Sequence, residues 1–275
     1  MLEHSRTANF FSYVDGVRVA FRAYNYDVVR NDGLPLTIFL HEGLGSIKNW
    51  RNFPETIADR INAPVLLYER RGYGLTGGDF PTTECESKFG EGFGAWTYLH
   101  NEAVFLKSVI ELFTPREVIL VGHSDGASIS LLYAAAFPER VKAVAAIAPH
   151  TFLEDAALKG IIKARGAFAA GKLRSRLEAQ HGDKADDVFN FWADNWSGES
   201  FINFDFRPAL GSIESPVLAI QGDRDEYATL AQIDSICERV KNCKKIILPD
   251  CGHIPHITHS KDLASLLVDF IGNIL

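Results

Sequence analysis

Hydrophobic residues in this chain form short runs that alternate with stretches of helical periodicity. The first pattern, FSYVDGVRVAFRAY, predicts two strands joined at Asp15 and Gly16, a pair that favours a tight hairpin turn. Six later runs are short, apolar on both faces and closed by glycine or proline, as in strands buried within a parallel sheet. They are LPLTIFLHEG, APVLLYERRGYG, REVILVGHS, VKAVAAIAPH, SPVLAIQGD and KKIILPDCGH.

Helical periodicity fills most of the intervals between these strands. It predicts helices over residues 50–62, 98–113, 126–137, 229–241 and 260–273. A hairpin followed by repeated strand–helix units predicts an α/β fold: one twisted, mostly parallel sheet with an N-terminal antiparallel hairpin and flanking helices.

Two segments interrupt the alternation of strand and helix. Residues 76–97 are rich in glycine and aromatic residues and are long for a connecting loop. Residues 151–209 have helical patterns without a clear strand, and they lie between two predicted strands. An insertion at such a place lies over the carboxyl ends of the strands, where ligands bind. We therefore predict a core domain of residues 1–150 and 210–275 and a helical cap of residues 151–209.

Composition and charge narrow the class of protein. The 275 residues are 47% hydrophobic and 23% charged, which suits a large buried core. The net charge of −7 argues against a general nucleic-acid binder. No apolar run reaches the roughly 18 residues that span a bilayer, and no signal-peptide pattern is evident. We expect a cytoplasmic monomer or homodimer with no nucleic-acid or membrane partner.

The four cysteines, Cys85, Cys237, Cys243 and Cys251, have neither CxxC spacing nor the Cys/His spacing of a zinc site. In a cytoplasmic chain this pattern predicts reduced, mostly structural thiols and no metal site.

The segment VGHSDGAS places Ser124 between Gly122 and Gly126, after a predicted strand and before a predicted helix. This is the G-x-S-x-G pattern of a nucleophile elbow, a turn so sharp that flanking Cβ atoms would collide with the backbone. We predict that Ser124 is a nucleophile and that the amide of Asp125 binds an oxyanion. The Asp125 side chain is expected to brace a neighbouring loop rather than to repel anionic groups.

A serine nucleophile needs a base, and a neutral histidine serves near pH 7. His253 follows the last predicted strand and could reach Ser124. His123 directly precedes Ser124 in the chain, but its side chain is expected to point elsewhere and to be structural. Asp225, in QGDRDEYA, is the best candidate to orient His253. Asp223 is expected to make local turn contacts.

Five motifs, in order, resemble those of the α/β-hydrolase family: LHEGLGS, ERRGYGLT, GHSDG, GDRDE and GHIPH. The resemblance covers nearly the whole chain and implies an α/β-hydrolase fold with a cofactor-free Ser-His-Asp mechanism. One departure is Glu42, which follows His41 where the family usually has glycine. The second oxyanion amide is therefore that of Gly43 or that of Leu44, and Glu42 is expected to brace the loop.

Serine at the elbow disfavours the dehalogenase and epoxide hydrolase branches of this family, which have aspartate there. The expected function is cleavage of a carboxylic ester of a small acyl substrate through an acyl-enzyme. Alternatives are hydrolysis of a carrier-bound acyl ester or thioester, hydrolysis of a C–C bond, and a ligand receptor that retains the triad.

The predicted cap has two notable features. Between Ala156 and Leu177 it has cations and no acid: Lys159, Lys163, Lys172, Arg165, Arg174 and Arg176. This basic face is suited to an anionic substrate or carrier, unless it pairs with acids of the protein. Trp192, Trp196 and Phe191, together with His256 outside the cap, are predicted to line a substrate pocket. The cap aromatics could instead hold its helices together.

Overall fold

A computed structural model describes residues 7–25, 34–84 and 89–275 of the chain, so Cys85 lies outside the described residues. The described residues form one eight-stranded sheet in the order β1-β2-β4-β3-β5-β6-β7-β8. Strands β1 and β2 pair antiparallel with each other and β2 pairs antiparallel with β4, whereas the remaining pairs are parallel. The predicted sheet architecture is confirmed. The strands are β1 Ala8–Val14, β2 Val17–Tyr24, β3 Leu36–Leu40, β4 Val65–Tyr68, β5 Val118–His123, β6 Val141–Ile147, β7 Val217–Gly222 and β8 Cys243–Leu248.

The predicted hairpin turn lies between β1 and β2. Val14 pairs with Val17, and the two residues between them have positive φ, 48° for Asp15 and 77° for Gly16. Positive φ at both central positions is what a two-residue turn of the I′ type requires, which explains the Asp-Gly pair.

Helices cover both faces of the sheet. The predicted helices correspond to α1, α2, α3, α8 and α10, with ends shifted by at most a few residues. Helices α4 to α7 lie between β6 and β7, and we call residues 151–209 the insertion. The helices are α1 Phe53–Ile61, α2 Tyr98–Phe113, α3 Asp125–Ala136, α4 Asp155–Ala169, α5 Lys172–His181, α6 Ala185–Trp196, α7 Glu199–Ile202, α8 Ala231–Arg239, α9 Pro255–Thr258 and α10 Ser260–Gly272.

Two hydrophobic clusters cover the two faces of the sheet. One joins α2, α3 and the insertion, and the other joins α1 and α10. In the part of the chain that the structure describes, none of these helices is both long and apolar enough to cross a membrane.

Strand β8 differs from the prediction that it is apolar on both faces. Among the described strands it pairs only with β7, at the edge of the sheet, and its Lys244 and Lys245 are exposed. Charged side chains on an edge strand hinder pairing with another chain, which accounts for lysines in an otherwise apolar run.

The prediction of reduced thiols is wrong for Cys237 and Cys243, which form a disulfide. Cys237 lies in α8 and Cys243 begins β8, and the turn between them brings their Cα atoms to 5.0 Å. That separation is within the range that disulfides require. Cys251 is free and buried.

The register of the parallel strands places their carboxyl ends along one edge. Leu40 pairs with Gly122, and Gly122 pairs with Ala146. The residues that follow β3, β5, β6 and β7 are therefore neighbours in space although they are far apart in the chain.

Candidate active site

Ser124 lies at the sharp turn between β5 and α3, with φ 52° and ψ −119°. A residue other than glycine rarely adopts this backbone conformation, which costs about 1–3 kcal/mol and persists only where the surrounding structure enforces it. A Cβ on Gly122 would lie 2.2 Å from the carbonyl oxygen of Gly126, and one on Gly126 would lie 2.1 Å from that of Leu40. This backbone-to-backbone packing explains both glycines and holds the turn.

The three predicted triad side chains form one chain of hydrogen bonds. His253 Nε2 is 2.9 Å from Ser124 Oγ, and His253 Nδ1 is 2.9 Å from both carboxylate oxygens of Asp225. Asp225 is held in turn by the amide of Tyr227, which donates to Oδ1 at 2.9 Å. Gly222, three residues before Asp225, packs closely on the backbone of Cys251. A Cβ at Gly222 would lie 2.1 Å from the carbonyl oxygen of Cys251.

The electrostatics of this group favour an ionised acid and a titratable base. Burial lowers the pKa of His253, but the carboxylates of Asp225, Glu226 and Glu42 outweigh it and raise that pKa above 6.5. Burial raises the pKa of Asp225, yet His253 and hydrogen bonding hold it below its ordinary value. Above the pKa of His253, a neutral imidazole therefore lies between an ionised carboxylate and a serine hydroxyl.

His123 contacts the backbone of His253. Its Nε2 lies 2.7 Å from the carbonyl oxygen of His253, and its Nδ1 lies 3.5 Å from Oε2 of Glu42. Glu42 also accepts a hydrogen bond from the side chain of Asn49. Its carboxylate occupies the space beside Gly45, where a Cβ would lie 2.4 Å from Oε2. Glu42 and His123 thus connect the loop after β3 with the loop that carries His253.

The amides predicted to bind an oxyanion lie on two segments next to Ser124. Gly43 and Leu44 are the central residues of a turn closed by the Gly45 amide, which donates to the carbonyl of Glu42 at 3.0 Å. The amide of Asp125 lies in the first turn of α3, where helix amides have no acceptor within the helix. Both segments are close, since a Cβ on Gly43 would lie 3.0 Å from Asp125 Oδ2.

The Asp125 side chain is fully buried and accepts three hydrogen bonds. Its Oδ2 accepts from Tyr98 Oη at 2.5 Å and from Arg70 Nη1 at 3.4 Å, and its Oδ1 accepts from Trp196 Nε1 at 3.2 Å. Arg70 also donates to the carbonyl of Glu42 at 2.9 Å. The carboxylate therefore joins α2, the segment after β4 and helix α6 of the insertion to the nucleophile elbow, in agreement with a bracing role.

Replacing Asp125 with alanine is expected to lower the free energy of unfolding by about 3–5 kcal/mol, because it leaves the buried Arg70 cation without its carboxylate partner. Urea denaturation measures the change. Asp194→Ala is the control, since Asp194 pairs with Arg165 on the surface and its loss is expected to change stability by less than about 1 kcal/mol. Equal stability losses in the two variants would contradict a bracing role for Asp125.

The four predicted pocket residues make different contacts in the structure. The Trp192 indole packs on the turn at Gly43, where a Cβ would lie 2.4 Å from Nε1. Trp196 bonds to Asp125, so both tryptophans contact the segments that flank Ser124. Phe191 stacks on Phe80 with ring centroids 4.5 Å apart and contacts Tyr98 at 5.0 Å. The His256 ring packs against those of Trp50 at 4.7 Å and His123 at 4.9 Å.

Two residues beside the triad were not identified from the sequence, His150 and Tyr227. Their ring centroids lie 5.8 Å and 4.8 Å from that of His253. Both follow the carboxyl ends of strands, β6 and β7, and that position at the ligand-binding edge was the available signal.

The basic face of the insertion is partly neutralised by acids of the same insertion. Arg165 pairs with Asp194 at 2.7 Å, and Arg174 pairs with Asp186 and with Glu178. Within the described residues, no group of three or more histidine, cysteine or acidic side chains is arranged to hold a metal ion.

Comparisons with known proteins agree with this fold. Residues 38–266 match the sequence profile of the alpha/beta hydrolase family. The chain is 22% identical over 293 residues to a 2-hydroxy-6-oxononadienedioate/2-hydroxy-6-oxononatrienedioate hydrolase of Cupriavidus pinatubonensis, covering 97% of this chain and 96% of that one. It is 32% identical over 73 residues to a pimeloyl-[acyl-carrier protein] methyl ester esterase of Aromatoleum aromaticum, 26% of this chain and 29% of that one. An alpha/beta hydrolase fold protein from Chitinophaga pinensis superposes with a TM-score of 0.72 at 15% identity, covering 98% of each chain.

Proposed function

The chain belongs to the alpha/beta hydrolase family, and on that premise we propose that it is a serine hydrolase that cleaves a carboxylic ester of a small acyl substrate. The observation that carries this proposal is the continuous hydrogen-bond chain from Ser124 through His253 to Asp225. A serine hydroxyl bonded to an imidazole that is itself oriented by a carboxylate is the arrangement that activates serine for attack on an acyl carbon.

In the proposed mechanism, Ser124 Oγ attacks the ester carbonyl carbon while His253 Nε2 takes the hydroxyl proton. The negative charge that develops on the carbonyl oxygen is stabilised by the Asp125 amide and by the amide of Gly43 or Leu44, typically by about 3 kcal/mol or more. His253 then gives its proton to the departing alcohol. A water molecule, deprotonated by His253, attacks the acyl-enzyme, releases the acid and restores Ser124.

The insertion supplies the substrate side of the proposal. We propose that residues 151–209 act as a cap on a core of residues 1–150 and 210–275, because Trp192 and Trp196 reach the turn at Gly43 and the carboxylate of Asp125. Their indoles offer apolar surface for an acyl chain.

Labelling with a fluorophosphonate tests this function directly. We expect one phosphonyl group per chain, located on Ser124 by peptide mass spectrometry, and a parallel loss of p-nitrophenyl acetate and butyrate hydrolysis. Heat-denatured protein is the control and should remain unlabelled. If the native protein is unlabelled and hydrolyses no ester, thioester or amide, the protein is instead a ligand receptor that retains the triad.

Hydrolysis of a carbon–carbon bond is the second candidate. It is supported by the similarity to the Cupriavidus pinatubonensis hydrolase of a 2-hydroxy-6-oxo dioate, which extends over 97% of this chain. The same triad can serve either reaction, so the discriminating measurement is kcat/KM for a 2-hydroxy-6-oxo dienoate against kcat/KM for aryl and alkyl esters. A higher value for the dienoate would replace the ester assignment.

A carrier-bound acyl ester is less well supported. The similarity to the carrier-dependent esterase covers 26% of this chain, and two of the basic side chains that could face a carrier already pair with acids. Lys172→Glu with Arg176→Glu would have to weaken hydrolysis of carrier-bound esters selectively for this candidate to hold.

We propose that the enzyme works in the cytoplasm, as a monomer or homodimer. The disulfide between Cys237 and Cys243 argues against that location, because disulfides persist mainly in oxidising compartments. Trapping free thiols with a maleimide during cell lysis, followed by mass spectrometry, decides: labelled Cys237 and Cys243 support the cytoplasm, and unlabelled ones oppose it.

The pH dependence of ester hydrolysis follows from the pKa of His253. The base must be neutral, and its neighbouring carboxylates raise its pKa, so kcat/KM is expected to fall as the pH drops, with a midpoint above 6.5. A pH–rate profile between pH 5 and 9 measures this midpoint. A single midpoint below about pH 6 would contradict the assignment of His253 as the base.

A further inference from the structure

His150 is held beside the nucleophile elbow by its backbone. Its amide donates to Ser128 Oγ at 3.0 Å, and its carbonyl accepts from the same hydroxyl at 2.6 Å. Ser128 lies one turn of α3 beyond Ser124, and its own amide donates to the Ser124 carbonyl at 3.0 Å. The Cα of His150 is therefore tied to the helix that carries the nucleophile.

The imidazole of His150 lies between the insertion and the triad. Its ring centroid is 4.9 Å from that of Trp196 and 5.8 Å from that of His253, to which it is nearly parallel, with 27° between the planes. Trp196 is itself fixed, since its Nε1 bonds to Tyr98 Oη at 3.0 Å and to Asp125 at 3.2 Å. The tryptophan forms a rigid wall that limits where the imidazole can turn.

The ring nitrogens of His150 have no protein partner among the described residues, whose hydrogen bonds to this residue all involve its backbone. They are not completely cut off from solvent, in contrast to both ring nitrogens of His256, which are fully buried without a partner. The residue is 4% exposed, and its ring lies beside those of Trp196 and His253, so an unpartnered polar side chain adjoins the triad.

The charge state of this ring decides what it can bind. Burial, reinforced by the nearby His253, lowers the pKa of His150 to about 3. Near pH 7 the ring is therefore a neutral imidazole with one N–H donor and one nitrogen acceptor. A buried polar group without a partner is unfavourable, and a ligand atom that completes its hydrogen bonding gains the corresponding free energy.

We propose that His150 is a specificity-determining residue that hydrogen-bonds an oxygen substituent next to the scissile bond of the substrate. This proposal rests on the proposed function and names its substrate class: esters with a hydroxyl or keto oxygen within three bonds of the ester group. His253 Nε2 is 2.9 Å from Ser124 Oγ and the ring centroids of His150 and His253 are 5.8 Å apart, so a substrate oxygen bonded to a His150 ring nitrogen lies close to the bond that Ser124 breaks.

Two pairs of matched esters test the proposal and locate the substituent. Ethyl lactate against ethyl propionate places the hydroxyl on the acyl side, and 2-hydroxyethyl butyrate against propyl butyrate places it on the alcohol side. For one pair we expect the wild type to prefer the hydroxylated ester by about 10–100-fold in kcat/KM, the range that one buried hydrogen bond supplies. In His150→Phe, which keeps an aromatic ring without nitrogens, that ratio should fall to about one.

Two further variants separate recognition from packing. His150→Asn retains a donor and an acceptor and is expected to restore part of the preference. His100→Phe is the control, because His100 is also a buried imidazole but its ring nitrogens bond to Thr97 and to the carbonyl of Phe93, outside the site, so the ratio should stay at the wild-type value. A wild-type ratio near one for both pairs, or equal losses on both members of a pair in His150→Phe, would overturn the proposal.

The experiment also distinguishes failure of the proposed function from failure of the role of His150. If the wild type hydrolyses no ester, the proposed function fails. Calorimetric titration with lactate and with propionate then decides the role of His150. Tighter binding of lactate that disappears in His150→Phe supports it, and equal binding of both acids contradicts it.

Discussion

Replacing Ser124 with alanine is expected to lower kcat for p-nitrophenyl butyrate by about 10⁵–10⁶-fold, the loss typical when a triad serine is removed. Without Oγ no acyl-enzyme can form, and His253 loses the group whose proton it takes at 2.9 Å. A small residual rate above that in water should remain, because the oxyanion amides and the binding surface are untouched. Steady-state kinetics at saturating substrate measure the change.

Ser130→Ala is the matched control for this variant. Ser130 lies in the same helix, and its hydroxyl donates to the carbonyl of Gly126 at 2.7 Å, within the helix itself. We expect kcat to stay within a few-fold of the wild-type value. Comparable losses in both variants would show that the elbow is sensitive to any serine in α3 and would remove the support for Ser124 as the nucleophile. Circular dichroism establishes that both variants fold.

Replacing Asp225 with asparagine is expected to lower kcat by about 10⁴-fold, as in other Ser-His-Asp enzymes. The carboxylate accepts the proton of His253 Nδ1, which leaves Nε2 free to accept the proton of Ser124. An amide that donates to Nδ1 would instead favour the tautomer with its proton on Nε2. Because Asp225 also raises the pKa of His253, the acid limb of any remaining pH profile should shift to lower pH.

Asp223→Asn is the control for Asp225. Asp223 lies in the same loop but accepts a hydrogen bond from the Cys251 amide at 3.3 Å and does not contact the His253 ring. Its replacement should change kcat by only a few-fold. If the two asparagine variants lost activity equally, the loop as a whole would be responsible and Asp225 would have no special role.

The local parts of the fold could be predicted from local patterns. Continuous apolar runs that end in glycine or proline are compatible with few arrangements other than buried parallel strands, and Asp15-Gly16 fits a turn that needs two positive φ angles. The triad side chains were predicted the same way, because each follows a strand that ends at the same edge. Strand β8 was misjudged because its lysines reflect a position at the sheet edge, which a short apolar run does not reveal.

The contacts that could not be predicted are those made between distant segments. Asp125 accepts from Arg70 and Trp196, which are 55 and 71 positions away in the chain, so the nature of its brace depends on how the insertion folds. The disulfide between Cys237 and Cys243 has no spacing motif and arises from the turn between α8 and β8. His150 was missed because one histidine after a strand is not a motif.

The backbone packing at the carboxyl edge of the sheet separates the positions of this protein that can be substituted from those that cannot. A side chain at Gly126 or Gly222 would lie 2.1 Å from a neighbouring carbonyl oxygen, so these positions tolerate no change without moving whole strands. Trp192, by contrast, contacts the turn at Gly43 through its side chain, from a helix outside the sheet. Laboratory selection for new substrates should therefore collect substitutions in α6 and leave the glycines unchanged. Reactivity and selectivity would then be separately adjustable traits.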